Sequence, residues 1–131
     1  MTLADRIQIA ANLATVSAVI YAAAQLTQSA TDTRIANSIK VLDQGTQTQQ
    51  DYRDGKVEVR NVFSYYYQVF LYNDNGRLLA NAYQPLNLAL CRFVLDDPRA
   101  EEYWRMANKQ YFEPKFVTLI DTIRSSKKCT A

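Results

Sequence analysis

The pattern of apolar and charged positions sets the first third of the chain apart from the rest. From Ile7 to Thr31 there are 25 consecutive residues without a charged side chain, and Arg6 and Asp32 flank them. About 20 mostly apolar residues suffice for a helix to cross the roughly 30 Å hydrocarbon core of a bilayer. The stretch therefore predicts an N-terminal transmembrane helix within residues 1–31. Its apolar surface would come from Ile7, Ile9, Leu13, Val16, Val19, Ile20 and Leu26.

Small side chains are frequent in the same stretch, among them Ala10, Ala14, Ser17, Ala18, Ala22 and Ala24. In lipid, small residues let a second helix approach closely, and packing then replaces the hydrophobic drive that operates in water. We therefore expect membrane lipid as one partner. A membrane-protein partner or a second copy of this chain is expected to bind through the N-terminal helix.

Two other interpretations of the stretch stay open. Residues 22–24 are three alanines before Gln25, which satisfies the cleavage pattern of a secretory signal peptide, although Asp5 beside Arg6 is atypical of its basic first region. An alanine-rich helix of moderate hydropathy is also typical of the core of a soluble bundle or filament.

The charges that flank the span and the two cysteines predict the location of the rest of the chain. Arg6 and the amino terminus lie on one side, Arg34 and Lys40 on the other, and basic residues favour the cytoplasmic face. Cys91 and Cys129 have no metal or redox spacing, and we expect both to be reduced. The prediction is a single-pass protein of the cell inner membrane with a cytoplasmic C-terminal domain. A disulfide would argue against that orientation.

Beyond the span, the first helix is expected to continue as a stalk. A helical stalk over residues 32–45 is predicted by apolar residues at helical spacing, namely Ile35, Ile39 and Leu42. Gly45 offers a C-terminal stop for this helix. Residues 46–56 are polar without a period, which predicts a linker or loop.

The remainder predicts an all-α fold, with the long N-terminal helix followed by a small bundle of three to four short helices. The helical domain covers residues 57–126, and residues 127–131 form a tail. Its first helix spans about 57–72 before the breaker sequence NDNG at 73–76, and Pro85 is expected in the first turn of the next helix. Core positions at helical spacing are Val59, Val62, Phe63, Tyr66, Val69, Phe70, Leu86, Leu90, Phe93, Val94, Phe116, Leu119, Ile120 and Ile123.

The sequence Asp96-Asp97-Pro98 predicts the start of a third helix in the domain. Asp97 can cap the helix and Pro98 suits its first position. Glu101 and Glu102 follow where the helix dipole favours anions. We therefore interpret these carboxylates as capping groups rather than as a metal site or an acid–base pair.

Composition excludes several kinds of chemistry. The chain has no histidine, which removes Ser–His and Cys–His nucleophile pairs, histidine-ligated haem and mixed-ligand zinc sites. A net charge of +2 with scattered basic residues does not predict nucleic-acid binding. The three tyrosines at 65–67 point about 100° apart on a helix, so we interpret them as packing residues. No catalytic residue, metal site or cofactor is predicted.

Five segments follow one another within residues 65–123: NDNGRLL, PLNLALCRF, DDPRAEEYW, YFEPKF and VTLIDTI. With the span before them, they resemble a broad group of uncharacterised bacterial proteins that have one N-terminal span and a short helical domain. The resemblance implies that layout without supplying a chemistry. Tyr83 or Gln84 stands where that group often has a tryptophan. The expected structural keys are Asp97 and Pro98 from the cap and, from the resemblance, Trp104, Tyr111, Phe116 and Asp121.

Several functions are compatible with these features. The first is a membrane-anchored small helical interaction module, an accessory or structural subunit of a larger membrane protein assembly. The small-residue span, the undersized domain and the lack of paired catalytic groups favour it. One alternative is a ligand-binding or enzymatic domain tethered at the membrane surface, which would need a concave pocket with convergent polar groups. Another is a self-assembling filament or shell subunit.

Overall fold

A computed structural model describes residues 2–129, and within this range the secondary structure is entirely helical. The helices are α1 (Leu3–Arg53), α2 (Val59–Asp74), α3 (Ala80–Asp96), α4 (Pro98–Met106) and α5 (Pro114–Ser126), with a 3₁₀ turn at Lys109–Tyr111. The all-α prediction, with a long first helix before several short ones, is confirmed. The chain forms two compact units, Met1–Arg34 and Ile35–Ala131.

The first unit consists of the N-terminal part of α1. Its start is fixed by a reciprocal pair of hydrogen bonds, in which the Asp5 backbone N–H donates to the Thr2 hydroxyl and the Thr2 N–H donates to the Asp5 carboxylate. This arrangement is a capping box, which satisfies amide groups that have no partner inside the helix.

The second unit begins inside α1, and here two sequence predictions were wrong. The helix does not stop at Gly45, and residues 46–53 are helical because α1 continues to Arg53; only residues 54–56 of the predicted linker lie in the turn, where Gly55 has φ of +74°. Side-chain hydrogen bonds one turn apart, from Gln47 to Asp51 and from Gln50 to Asp54, support this polar last part of the helix.

This part of α1 packs on the bundle through residues that the hydrophobic pattern did not select. Ser38, Val41 and Gly45 are buried. The three stalk residues of the prediction lie on the helix but are exposed, with 41% of Ile35, 57% of Ile39 and 42% of Leu42 accessible. The folded unit therefore starts well before residue 57, because α1 supplies part of its core.

Helix α2 matches the predicted helix with a small shift, whereas α3 begins earlier than predicted. α2 is displaced by two residues, and the turn after it contains Gly76 with φ of +68°. α3 begins at Ala80, so Pro85 lies inside the helix and not in its first turn. The earlier start has a tertiary cause, because the N–H of the capping residue Leu79 donates to the Ser38 hydroxyl of α1.

The core of the bundle is aromatic at its centre. Phe63 of α2 stacks on Trp104 of α4 with ring centroids 5.7 Å apart, and Phe116 of α5 meets the same indole at 6.2 Å. All three side chains are fully buried. Most predicted core positions are buried, whereas the following are half-buried at the edge of the core: Val59, Phe70, Phe93 and Leu119.

Candidate functional site

The first unit presents an apolar helix surface without cover. The seven apolar residues predicted for the span have exposed fractions between 47% and 72%. α1 is long and apolar enough to cross a membrane, and its most apolar 18 residues include none that is buried. Soluble monomers rarely expose so large a contiguous apolar patch. By length and composition α1 is thus a candidate membrane span, and its N-terminal position also fits a signal sequence.

Several polar residues inside this segment have hydrogen-bond partners within the helix. The Thr15 hydroxyl donates to the Ala11 carbonyl at 3.0 Å, and the Thr27 hydroxyl donates to the Ala23 carbonyl at the same distance. Gln8 donates to the Asn12 side chain at 3.1 Å. Hydrogen bonds of this kind lower the cost of placing polar groups in hydrocarbon, where no water can replace the partner.

The cap of α4 is built as predicted and gains partners from elsewhere. Asp97 accepts from the Arg99 backbone N–H at 2.9 Å, and Pro98 occupies the first helical position. The Tyr52 hydroxyl, at the end of α1, donates to the second Asp97 oxygen at 2.7 Å. The Arg99 guanidinium lies 4.3 Å above the Tyr52 ring and 3.4 Å from the Asp97 carboxylate. Asp97 therefore joins α1 to α4 besides capping a helix.

The environment of the cap shifts the pKa values of Tyr52 and Asp97 in opposite directions. Burial raises the pKa of Tyr52 to about 12, with a further contribution from its hydrogen bond to Asp97. Burial acts to raise the pKa of Asp97 too, but the hydrogen bonds from Tyr52 and Arg99 outweigh it and leave the pKa below its usual 3.8. Asp97 is a carboxylate at neutral pH, which suits an acceptor and not a proton donor.

Three of the structural keys that the resemblance implied form one contact. The Trp104 indole N–H donates to the Asp121 carboxylate at 3.0 Å, from α4 to α5, and Phe116 packs against the indole ring. Trp104 is fully buried while about half of the Asp121 side chain is accessible. Asp121 therefore satisfies a buried donor from the edge of the core, which is a structural role.

Tyr111, the fourth structural key expected from the resemblance, does not pack in the core. This residue ends the 3₁₀ turn with 82% of its surface exposed and packs against no ring of the core. Its neighbour Phe112 packs in the core instead. The centroid of the Phe112 ring lies 5.5 Å from that of Trp104 and 5.1 Å from that of Tyr67. Phe112, directly after the 3₁₀ turn, is therefore the aromatic residue of this segment that packs against the core.

The three consecutive tyrosines of α2 all bond to protein partners. Tyr65 donates to the Val41 carbonyl, the Tyr66 hydroxyl accepts from the Gln49 amide at 3.1 Å, and the Tyr67 hydroxyl accepts from the Glu113 backbone N–H at 2.9 Å. Burial raises the pKa of Tyr65 and Tyr66. Neutral hydroxyls engaged in this way tie α2 to the neighbouring segments, which fits the packing interpretation.

The cysteines are not reduced, which corrects the sequence analysis. Cys91 of α3 and Cys129, beyond α5, form a disulfide that closes a loop of 38 residues. The spacing alone gave no sign of it, because the two positions meet only when α5 returns along α3. The bond ties Cys129, beyond the end of α5, to α3.

A groove at one end of the bundle was not foreseen at all. It lies between the turn that joins α1 to α2 and the exposed side of α4, and it holds about 610 Å³. The wall residues are Tyr52, Val57, Val59, Tyr103, Met106 and Ala107, and the charged residues at the rim are Glu58, Arg99 and Glu102. Met106 on this wall is 75% exposed. Among residues 2–129 no cluster of three or more acidic or cysteine side chains could hold a metal ion.

Comparisons with protein-family models, curated proteins and solved structures found nothing that matches this chain. The resemblance to uncharacterised bacterial proteins with one span therefore stays a prediction, and the surfaces described above are the basis for any function.

Proposed function

We propose that this protein is a single-pass membrane protein whose unit Ile35–Ala131 serves as a small interaction module, an accessory subunit of a larger membrane assembly. The exposed apolar surface of α1 carries the proposal. Its length, the hydrogen bonds that Thr15 and Thr27 make within the helix, and its lack of cover all suit a lipid environment. Anchoring is the simplest use of such a helix.

The second unit offers a surface for the partner. Ile35, Ile39 and Leu42 recur at spacings of four and three residues and lie exposed beside the face of α1 that packs on the bundle. Apolar residues at this spacing form a seam against which another helix packs in coiled coils. We place the partner helix on this seam and, within the membrane, against the small residues of α1.

We propose that the module faces the oxidising side of the membrane, opposite to the orientation expected from flanking charge. Structural disulfides persist in the periplasm or outside the cell and are rare in the cytosol. The Cys91–Cys129 bond therefore outweighs a basic-residue count that is nearly balanced, with Arg6 and the amino terminus against Arg34 and Lys40.

Location and orientation can be tested together on the full chain in bacterial cells. We expect the protein in the carbonate-washed membrane fraction, with the module digested by protease added to spheroplasts. On non-reducing gels, thiol alkylation should modify neither Cys91 nor Cys129 unless a reductant is added first. A protein recovered soluble at a mass lacking its first residues would favour the signal-peptide alternative. A protected module with free thiols would overturn the proposed orientation.

The partner can be sought by photo-crosslinking in the membrane. A photoreactive residue at Ile39 should give a defined crosslinked product, whereas the same residue at Gln47, exposed on another face of α1, should give none. Mass spectrometry then separates a second copy of this chain from a different protein. Equal yields at both positions, or no product from Ile39, would argue against the seam.

A further inference from the structure

We propose that the groove between the α1–α2 turn and α4 binds an organic cation, a protonated amine that carries an aromatic or alkyl body. The proposal concerns the Ile35–Ala131 unit alone and does not depend on the membrane location. A volume of about 610 Å³ is within the range of small-molecule sites, roughly 300–1,000 Å³.

The walls suit an apolar body. Tyr52 and Tyr103 bring two aromatic rings to the groove, and Met106 adds a flexible thioether that adapts to irregular shapes. Tyr52 is held in place by its hydrogen bond to Asp97, and Tyr103 packs against Phe63 with centroids 4.8 Å apart. The rings are therefore fixed before any ligand enters, which reduces the ordering cost of binding.

The charges at the rim select a cation. Arg99 is the single basic residue that lines the groove within the described part of the chain, and its charge is engaged by Asp97 and by the Tyr52 ring. Glu58 has an exposed partner in Arg60 at 3.6 Å, an ion pair of little energy in water. Glu102 has no basic side chain within 4 Å among residues 2–129. A ligand ammonium group would thus meet two carboxylates, Glu58 and Glu102, at the rim of a wall that contains two tyrosine rings.

The test uses the full chain in nanodiscs of zwitterionic lipid, with empty nanodiscs as the blank. The probes are phenethylamine, 3-phenylpropionate and 2-phenylethanol, which share a phenyl group and differ in charge, and ligand-observed NMR titrations give the affinities. We expect saturable binding of the amine in the millimolar range or tighter, weaker binding of the alcohol and the weakest binding of the anion. Raising the salt concentration should weaken only the amine, because exposed charges are screened.

Two matched substitutions locate the site. Glu102→Gln should weaken the amine by about two- to fivefold, the effect of one exposed charge pair. Glu101→Gln is the control, since this neighbour on α4 faces a different cavity lined by Arg124 and Lys127, and it should leave the affinity unchanged. Met106→Arg places a cation in the groove at an exposed position and should abolish amine binding.

Emission of Trp104, the single tryptophan, checks that each variant is folded. Three results would each overturn the proposal: no saturable binding of the amine, an anion bound as tightly as the amine, or equal affinities in the folded Glu102→Gln and Glu101→Gln variants.

Discussion

Gly45 and Tyr65 are complementary in shape, because the tyrosine side chain occupies the space in which any larger residue at 45 would place its Cβ. The hydroxyl of Tyr65 donates to the Val41 carbonyl on the same face of α1. A Cβ built on Gly45 would clash with that hydroxyl and lie 2.9 Å from the tyrosine Cζ and 3.3 Å from its Cε1. The glycine, which looked like a helix stop, leaves room on α1 for a side chain of α2.

Gly45→Ala should therefore lower the free energy of unfolding, although alanine is the better helix former by about 1 kcal/mol. Overpacking a filled site costs about 1–3 kcal/mol, and the rigid ring cannot move away without breaking its hydrogen bond. Subtracting the propensity gain, we expect a net loss of up to about 2 kcal/mol in urea unfolding followed by Trp104 emission.

The neighbouring substitution Thr46→Ala is the control, because Thr46 is exposed on the same helix and should give no loss. Tyr65→Phe removes the hydroxyl oxygen, which is the atom closest to the added Cβ. In that background Gly45→Ala should lower the free energy of unfolding by less. A stabilising Gly45→Ala would show that α1 and α2 are farther apart in solution.

The buried indole of Trp104 depends on Asp121 for its hydrogen bond. Asp121→Ala leaves the N–H without its partner in the core, which should lower the free energy of unfolding by about 1–3 kcal/mol and shift the emission of Trp104. Asp121→Asn keeps an acceptor oxygen at the same place and should cost less than half as much. If both variants lose the same amount, the carboxylate charge and not the hydrogen bond is what stabilises α4 against α5.

Removing the disulfide should destabilise the module strongly. Closing a loop of 38 residues restricts the unfolded chain by an amount worth about 4 kcal/mol in the chain-entropy relation. Cys129→Ser, at the less buried of the two positions, should lower the free energy of unfolding by up to about that value. Reductant should have the same effect on the unchanged protein and none on the variant. An unchanged unfolding curve in reductant would mean that the bond does not form.

The module should lose stability in alkali partly through Tyr52. Its pKa is about 12 in the folded chain against 10.0 ordinarily, so the neutral phenol stabilises the fold fully below pH 10. That contribution is lost as pH rises from 10 to 12. Tyr52→Phe should show a smaller fall in unfolding free energy over this window, with a residual fall from buried Tyr65 and Tyr66. Equal falls in both proteins would exclude Tyr52 as a titrating group.

Features encoded in neighbouring residues could be read from the sequence. The cap at Asp97 and Pro98 needs only adjacent residues, and the positive φ of Gly76 follows from the NDNG turn. The core faces of α2 and α5 follow from apolar residues at helical spacing. For such elements the local preference and the tertiary fold agree.

Features made by distant residues could not be predicted. Gly45 is a packing position because Tyr65 lies above it, and α3 starts early because Ser38 caps it. Neither partner is near in sequence, so local propensity at Gly45 and Pro85 suggested the wrong helix ends. The disulfide and the groove have the same origin, since both require the relative placement of helices that no short motif encodes.

The position of the first buried residue has a consequence for proteolytic processing. Within residues 2–129 Ser38 is the first buried side chain, so cleavage after Ala24 would remove most of the apolar helix and no buried residue. A shed form of this protein would keep its fold, its disulfide and its groove. Cleavage between residues 46 and 56, where the sequence predicted a linker or loop, would instead separate Val41 from the rest of the core. It would also expose Tyr65 and Tyr66 to water. Cleavage that preserves the folded module is therefore expected only before the module, within the apolar part of α1.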